Sequence, residues 1–195
     1  AITGRLSMLA FAVIFALSGA VGPILGQNFG ARDFERVRGG FRAAIRFTAI
    51  VVVGVSALLF MLRAPIADLF SATGITRDLV YLFCGPLSLR FFFNGVLFVA
   101  NAGFNNLGHP FWSTFLNWGR NTVGMVPLVW LGSASMGAAG VLIGQALAGV
   151  IFGILAWVMA ARLMHADQTD VTAASKRRSE FGRQGRLMSL LHLRR

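Results

Sequence analysis

Carboxylates are the scarcest functional group in this chain. There are 7 Asp+Glu against 18 Lys+Arg, and none of the acidic residues falls inside an apolar run. Between Asp78 and Asp167 there is no acidic residue at all. Charge of either sign is thin, at 13% of residues, where soluble domains carry about 25%. A single cysteine, Cys84, excludes an intrachain disulfide; it lies in an apolar run, where a thiol serves as a small filler. The three histidines, His109, His165 and His192, are scattered without metal-ligand spacing. No phosphate-binding loop, nucleophile elbow or zinc-protease motif occurs. No catalytic residue or metal ligand is therefore assigned, no cofactor is implied, and the chain does not read as an enzyme.

What fills the chain is apolar. The hydrophobic fraction is 56% and the mean hydropathy is +0.69. Five stretches approach the roughly 20 residues that carry a helix across a bilayer core. We place them at about 6–25, 43–62, 79–102, 111–131 and 138–161, and call them spans A to E. The uncharged window Asn121–Ala161 alone is twice that length, and Gly132-Ser133-Ala134-Ser135-Met136-Gly137 splits it. The expectation is an all-α membrane protein, with a helical bundle over 1–162 and a basic cytoplasmic tail over 163–195. The first run is too long for a signal-peptide core and reads as a span. The net charge of +11 sits between spans and in the tail, which fits orientation in a membrane and contact with anionic lipid rather than nucleic acid. The tail reads either as a short surface helix on the anionic leaflet or as a disordered charged segment.

Charge also orients the spans. Arg32, Arg36, Arg38 and Arg42 crowd the A–B connector, while the D–E turn holds no basic residue. The positive-inside rule then puts that connector and the C-terminus in the cytoplasm. Between Arg46 and Arg63 span B has only 16 uncharged residues, and snorkelling arginines complete it. An odd number of spans with Ala1 outside is the pattern expected of the back part of a longer protein. Proline and glycine in Gly22-Pro23 predict an end or kink in span A; Pro86 and Pro127 predict kinks in C and D. Trp112 and Trp130 lie near opposite ends of D, as interfacial anchors do.

Polar residues inside spans are costly in lipid and commonly face a cavity or a packed interface. At 100° per residue, Asn94 lies about 40° from Arg90 and Asn101 about 20°, so they share one stripe of span C; Asn105 is about 60° away. No carboxylate within any span can neutralise Arg90. Arg90, Asn94 and Asn101 are therefore candidates to line a substrate cavity, with packing across a helix interface as the alternative. Span D repeats the pattern with Ser113, Asn117 and Asn121 at i, i+4 and i+8 and Arg120 adjacent. Asn117 and Asn121 join the candidates, although packing fits this helix slightly better. Glycines four apart, Gly22/Gly26, Gly26/Gly30, Gly140/Gly144 and Gly149/Gly153, mark close helix contacts.

The stretch Gly22-Pro23-Ile24-Leu25-Gly26-Gln27-Asn28-Phe29-Gly30-Ala31-Arg32-Asp33, followed by Arg36 and Arg38, resembles the multidrug and toxic compound extrusion (MATE) family. Members carry a Gly-Gln-Asn-x-Gly-Ala element after the second span of each six-span half. A span ending near Gly108-His109-Pro110 and another containing Pro127 follow in similar order. The resemblance covers Gly4 to about Arg162 and implies that A to E are the last five of twelve spans. It implies a bacterial inner-membrane antiporter that exports drugs or organic cations, driven by inward protons or sodium. Its partners would be lipid, small-molecule substrates and a missing N-terminal half. The motif residues Gly22, Pro23, Gly26, Gln27, Asn28 and Gly30 would form a structural cytoplasmic turn. Family members place coupling carboxylates on the first span of the protein or, in some sodium-coupled members, on the span matching C. Here that span has none, so no coupling-ion site is assigned. A related lipid-linked anion flippase, with Arg90 on phosphate, and a non-transporting bundle that needs a partner are the alternatives.

Overall fold

The computed structural model describes the backbone of residues 2–192 and the side chains of residues 12–164. Two compact units divide the chain, Ala1–Ala160 and Ala161–Arg195. The tail's side-chain arrangement lies outside the described residues. The first unit is built from α1 (Ile2–Gly30), α2 (Phe34–Met61), the short α3 (Arg63–Leu69) and α4 (Ile75–Cys84). A 3₁₀ turn, Pro86–Leu89, then leads into α5 (Arg90–Asn106) and α6 (Pro110–Gly119). A π-helical turn, Arg120–Gly124, joins α6 to α7 (Met125–His192). No strand occurs among the described residues.

Four helical stretches are long and apolar enough to cross a membrane: Ala12–Gly30, Phe34–Met61, Pro86–Asn106 and Pro110–Met164. The last, at 55 residues, is two legs, because Gly137 leaves helical geometry at φ +58°, ψ −133°. The reversal is tighter than expected: helix continues through Ser133–Met136 and one residue makes the turn. The legs return side by side, with Gly140 against Gly132 and Gly144 against Leu128.

Helix α1 corrects the sequence reading. It runs through Pro23 to Gly30 instead of ending near Leu25. Proline costs a backbone bond and crowds the carbonyl four residues back. Here Pro23 faces outward while Val21 and Leu25, at 6% and 0% exposure, are locked in the core on either side of it. Packing on both sides holds the helix through the fault.

The chain then turns in three residues. Arg32 takes the left-handed φ of +59°. Its N–H donates to the Phe29 carbonyl at 2.9 Å and the Asp33 N–H to the Asn28 carbonyl at 2.9 Å. That is a Schellman cap, with arginine where glycine is usual. Asp33 caps α2 by accepting from the Arg36 N–H at 3.1 Å and pairs with its guanidinium at 3.1 Å. The Phe29 and Phe34 rings close the turn edge to face, 5.9 Å apart.

Most of α5 is buried, with α1, α2 and α6 against it. Gly95 admits Thr48 of α2 and Ile14 of α1. Gly149 and Gly153 of α7 meet Asn94 and Phe93. The outer faces carry exposed apolar side chains such as Ile50, Val53, Val126 and Ile151, the solution expected where lipid is the solvent. Outside the spans, Arg77 donates to the Tyr81 hydroxyl at 3.2 Å and pairs with Asp68 at 3.4 Å. The Tyr81 bond, and then the nearby carboxylate, push the Arg77 pKa up.

Candidate functional site

The site begins with a break. Helix α4 stops at Cys84, and the Gly85 N–H donates to the Tyr81 carbonyl at 2.9 Å. Pro86 has no N–H to continue the ladder. Ser88 closes the 3₁₀ turn, its hydroxyl and N–H both reaching the Gly85 carbonyl at 2.7 and 3.1 Å. Helix α5 then starts at Arg90. What the sequence suggests as a kinked span C is thus discontinuous, and its one arginine stands at the discontinuity.

Arg90 is half-buried. Its guanidinium carbon lies 5.1 Å from the Phe83 ring centroid and 5.5 Å from that of Phe91, and both rings are fully buried. These contacts bridge the break, one ring on α4 and one on α5, and a cation is favoured near an aromatic face. The Arg90 Nε atom is buried without a hydrogen-bond partner among the described residues. Among those residues no carboxylate pairs with it. Arg120 is also half-buried. It opens the π turn, where the widened backbone sits over the Phe152 ring through Gly119 and Gly124. A π turn inside a helix commonly marks a functional position. The distortion of span D therefore lies at 120–124, ahead of Pro127.

The other predicted cavity residues are spread out. Asn94 and Asn101, at 7% and 8% exposure, are buried in the bundle, and each Oδ1 lacks a hydrogen-bond partner among the described residues. Gly149 makes room for the Asn94 amide: a methyl there would lie 3.4 Å from Oδ1. Asn117 is half-buried and donates to the Ser113 carbonyl at 2.8 Å. Asn121 is exposed. Arg120, the one charge in span D, stands at the start of the π turn, a distortion that the sequence did not announce.

The Gly-Gln-Asn motif is not itself a turn. Gly22 through Gly30 are all helical, and Gly22 and Gly26 form a shelf under the Asn106 side chain. Gln27 supplies its carbonyl to the Ala31 N–H at 3.0 Å. Asn28 donates to the Ile24 carbonyl at 2.8 Å, and its own carbonyl receives the cap. The reversal belongs to Ala31, Arg32 and Asp33, because the helix keeps its ladder until the cap closes it. Elsewhere an apolar cavity of about 360 Å³ lies among Ile45, Phe92, Phe93, Val96, Gly153, Ile154 and Trp157.

Apolar helices of membrane-crossing length, a discontinuous span and close glycine contacts on a bundle with apolar outer faces define an integral membrane protein. The family model described as MatE matches residues 1–131, and the chain belongs to that family. It is 33% identical over 162 residues to an uncharacterized 21 kDa protein in the iaaL 5′ region of Pseudomonas savastanoi, covering 79% of this chain and 51% of that protein. It is 24% identical over 159 residues to an FAD transporter of Shewanella oneidensis, covering 82% of this chain and 35% of that protein. Its fold matches the Vibrio cholerae MATE transporter VcmN in the bent form with a TM-score of 0.78 at 19% identity, covering 86% of this chain and 38% of that one. The chain thus spans about half or less of the length of these relatives. The MATE resemblance read from Gly22 to Asp33 is borne out.

Proposed function

We propose that this chain is one lobe, the last five spans, of a secondary antiporter. Inward movement of protons or sodium would drive export of drugs or organic cations across the bacterial inner membrane. The observation that supports this reading is the combination of a TM-score of 0.78 with coverage of only 38% of the matched transporter. In alternating-access transporters of this general type, substrate binds between two repeats that rock against each other. One lobe supplies one wall. The spans here hold no carboxylate, so the groups that take the coupling ion, and any that neutralise a cationic drug, belong to the other lobe in this reading. The arginine-rich connector and the C-terminus lie in the cytoplasm, following the positive-inside rule.

Drug accumulation in cells tests the reading. Cells expressing the 195 residues alone should accumulate a fluorescent organic cation as the empty-vector control does. Cells expressing the same residues joined to a first lobe should export it, and dissipating the ion gradient should stop the export. Export by the chain alone would overturn the two-lobe architecture. Absence of export from a folded two-lobe protein would overturn the drug-exporter reading.

A further inference from the structure

We propose that the apolar groove between α2 and α7 seats one acyl chain of an anionic phospholipid whose headgroup is held by Arg38 and Arg42. The site goes beyond the export reading and does not rest on it. The groove, of about 360 Å³, is lined by Ile45 of α2, Phe92, Phe93 and Val96 of α5, and Ile154 and Trp157 of α7. That volume falls in the range of ligand pockets, roughly 300–1,000 Å³. Water needs polar partners to occupy a cavity, and these walls offer none. Where Gly153 meets the Phe93 backbone the helices touch, and the groove is the space left beside that contact. Ile154 and Trp157, at 45% and 52% exposure, leave it open along one rim, so a chain can enter from the side.

Apolar walls alone do not select a lipid, because a lipid tail is surrounded by apolar groups outside the groove as well as in it. The charges on α2 do. At 100° per residue Arg38 and Arg42 lie about 20° and 60° around the helix from Ile45, and at 1.5 Å per residue they stand about 10.5 and 4.5 Å nearer its N-terminus. Both line a second cavity, of about 720 Å³, together with Arg36, Asp33 and Glu35. Three arginines meet two carboxylates there, and Asp33 is already engaged, capping α2 and pairing with Arg36. The balance is positive, and guanidinium groups suit the oxygens of a phosphodiester. A basic cavity and an apolar groove thus follow one another along one face of α2, in the order of a phospholipid's head and tail. That end of α2 carries the arginine-rich turn, which belongs at the level of the headgroups.

The test uses the 195-residue chain in phosphatidylcholine nanodiscs, with Trp112→Phe, Trp118→Phe and Trp130→Phe leaving Trp157 as the only tryptophan. Lipids brominated on the acyl chain quench a tryptophan they touch. At equal low mole fraction, brominated phosphatidylglycerol should be enriched at Trp157 about fivefold over brominated phosphatidylcholine, the worth of one basic residue at an anionic surface. Arg38→Gln and Arg42→Gln should each remove most of that preference. Ile45→Phe, which fills the groove and leaves the charges, should remove it too. Arg32→Gln, on the same turn but outside the lining of both cavities, should leave it unchanged. Equal quenching by the two lipids overturns the site. So does a preference that falls as much with Arg32→Gln as with Arg42→Gln and survives Ile45→Phe, which is diffuse attraction to the basic turn. So does equal or stronger quenching by a brominated lipid with a cationic headgroup, which makes the groove a surface for any apolar cargo. Native mass spectrometry of the unaltered chain, released from discs of equal phosphatidylcholine and phosphatidylglycerol, decides where a variant does not fold. One retained phosphatidylglycerol supports the site, and no selective retention overturns it. Lipid contact is read without transport, so its failure leaves the cellular export result standing, and the reverse also holds.

Discussion

Asn106 lies across Gly22. A methyl group on Gly22 would come 2.7 Å from the Asn106 Nδ2, and one on Gly26 would come 3.2 Å from its Oδ1. The same Nδ2 donates to the Ala102 carbonyl at 2.8 Å, which fixes the amide on the shelf. The first two glycines of the family motif are therefore a packing surface where α1 meets the end of α5.

Gly22→Leu should accordingly destabilise the lobe by about 1–3 kcal/mol through overpacking. Asn106→Ala in the same background should recover part of the loss, because the obstructing amide is gone. A methyl group on Gly30 would meet no other part of the fold within 4 Å among the described residues, so Gly30→Ala should cost nothing by this mechanism. Thermal unfolding in one detergent, across wild type and the three variants, reads all of this. Equal losses at Gly22 and Gly30 would show that the shelf is not what the motif provides.

Arg32 offers a stabilising change. A non-glycine residue in the left-handed region pays roughly 1–2 kcal/mol, and glycine at this cap position does not. Arg32→Gly should raise stability by about 0.5–1 kcal/mol, the gain trimmed by glycine's freedom in the unfolded chain. Arg32→Val should lower it. Both shifts are measurable as midpoints of chemical or thermal unfolding. A loss on Arg32→Gly would mean that the arginine side chain holds the turn through contacts worth more than the backbone cost.

The lipid-facing bundle was legible because membrane helices must satisfy every backbone group internally and show lipid an apolar surface, and both demands write long uncharged runs into the chain. Pro86 announced trouble in span C, but proline alone does not say whether a helix bends or breaks. Gly85 settles it by ending α4 on the Tyr81 carbonyl, and the Ser88 hydroxyl holds the 3₁₀ turn that separates the two helices. At Pro23 the helix does not end, since Val21 and Leu25 pack on both sides of it. For Arg90, Asn94 and Asn101, periodicity gives the angle around an axis and not what stands opposite, so the burial of the two asparagines was out of reach. The resemblance implied a turn over Gly22 to Gly30; those residues stay helical, and the cap lies two residues beyond Gly30, at Arg32.

The hairpin at Gly137 separates backbone strain from packing, since the two effects fall on different residues. Gly137 combines φ +58° with ψ −133°, a region closed to L side chains, and has open space around it. Gly137→Ala should therefore lose about 1–3 kcal/mol from conformation alone. Gly140 is helical, but a methyl group there would fall on the Gly132 backbone, which cannot move as a side chain can. Gly140→Ala should force the two legs of α7 apart. Spin labels at the exposed positions Ser133 and Met136, each paired with Ala138, should report a longer separation across the turn in Gly140→Ala. In Gly137→Ala the same pairs should broaden through altered turn geometry, with the packing surface intact. If Gly140→Ala leaves both the distances and the unfolding midpoint unchanged, the legs do not meet backbone to backbone. The close approach would then have to be assigned to the larger side chains around it.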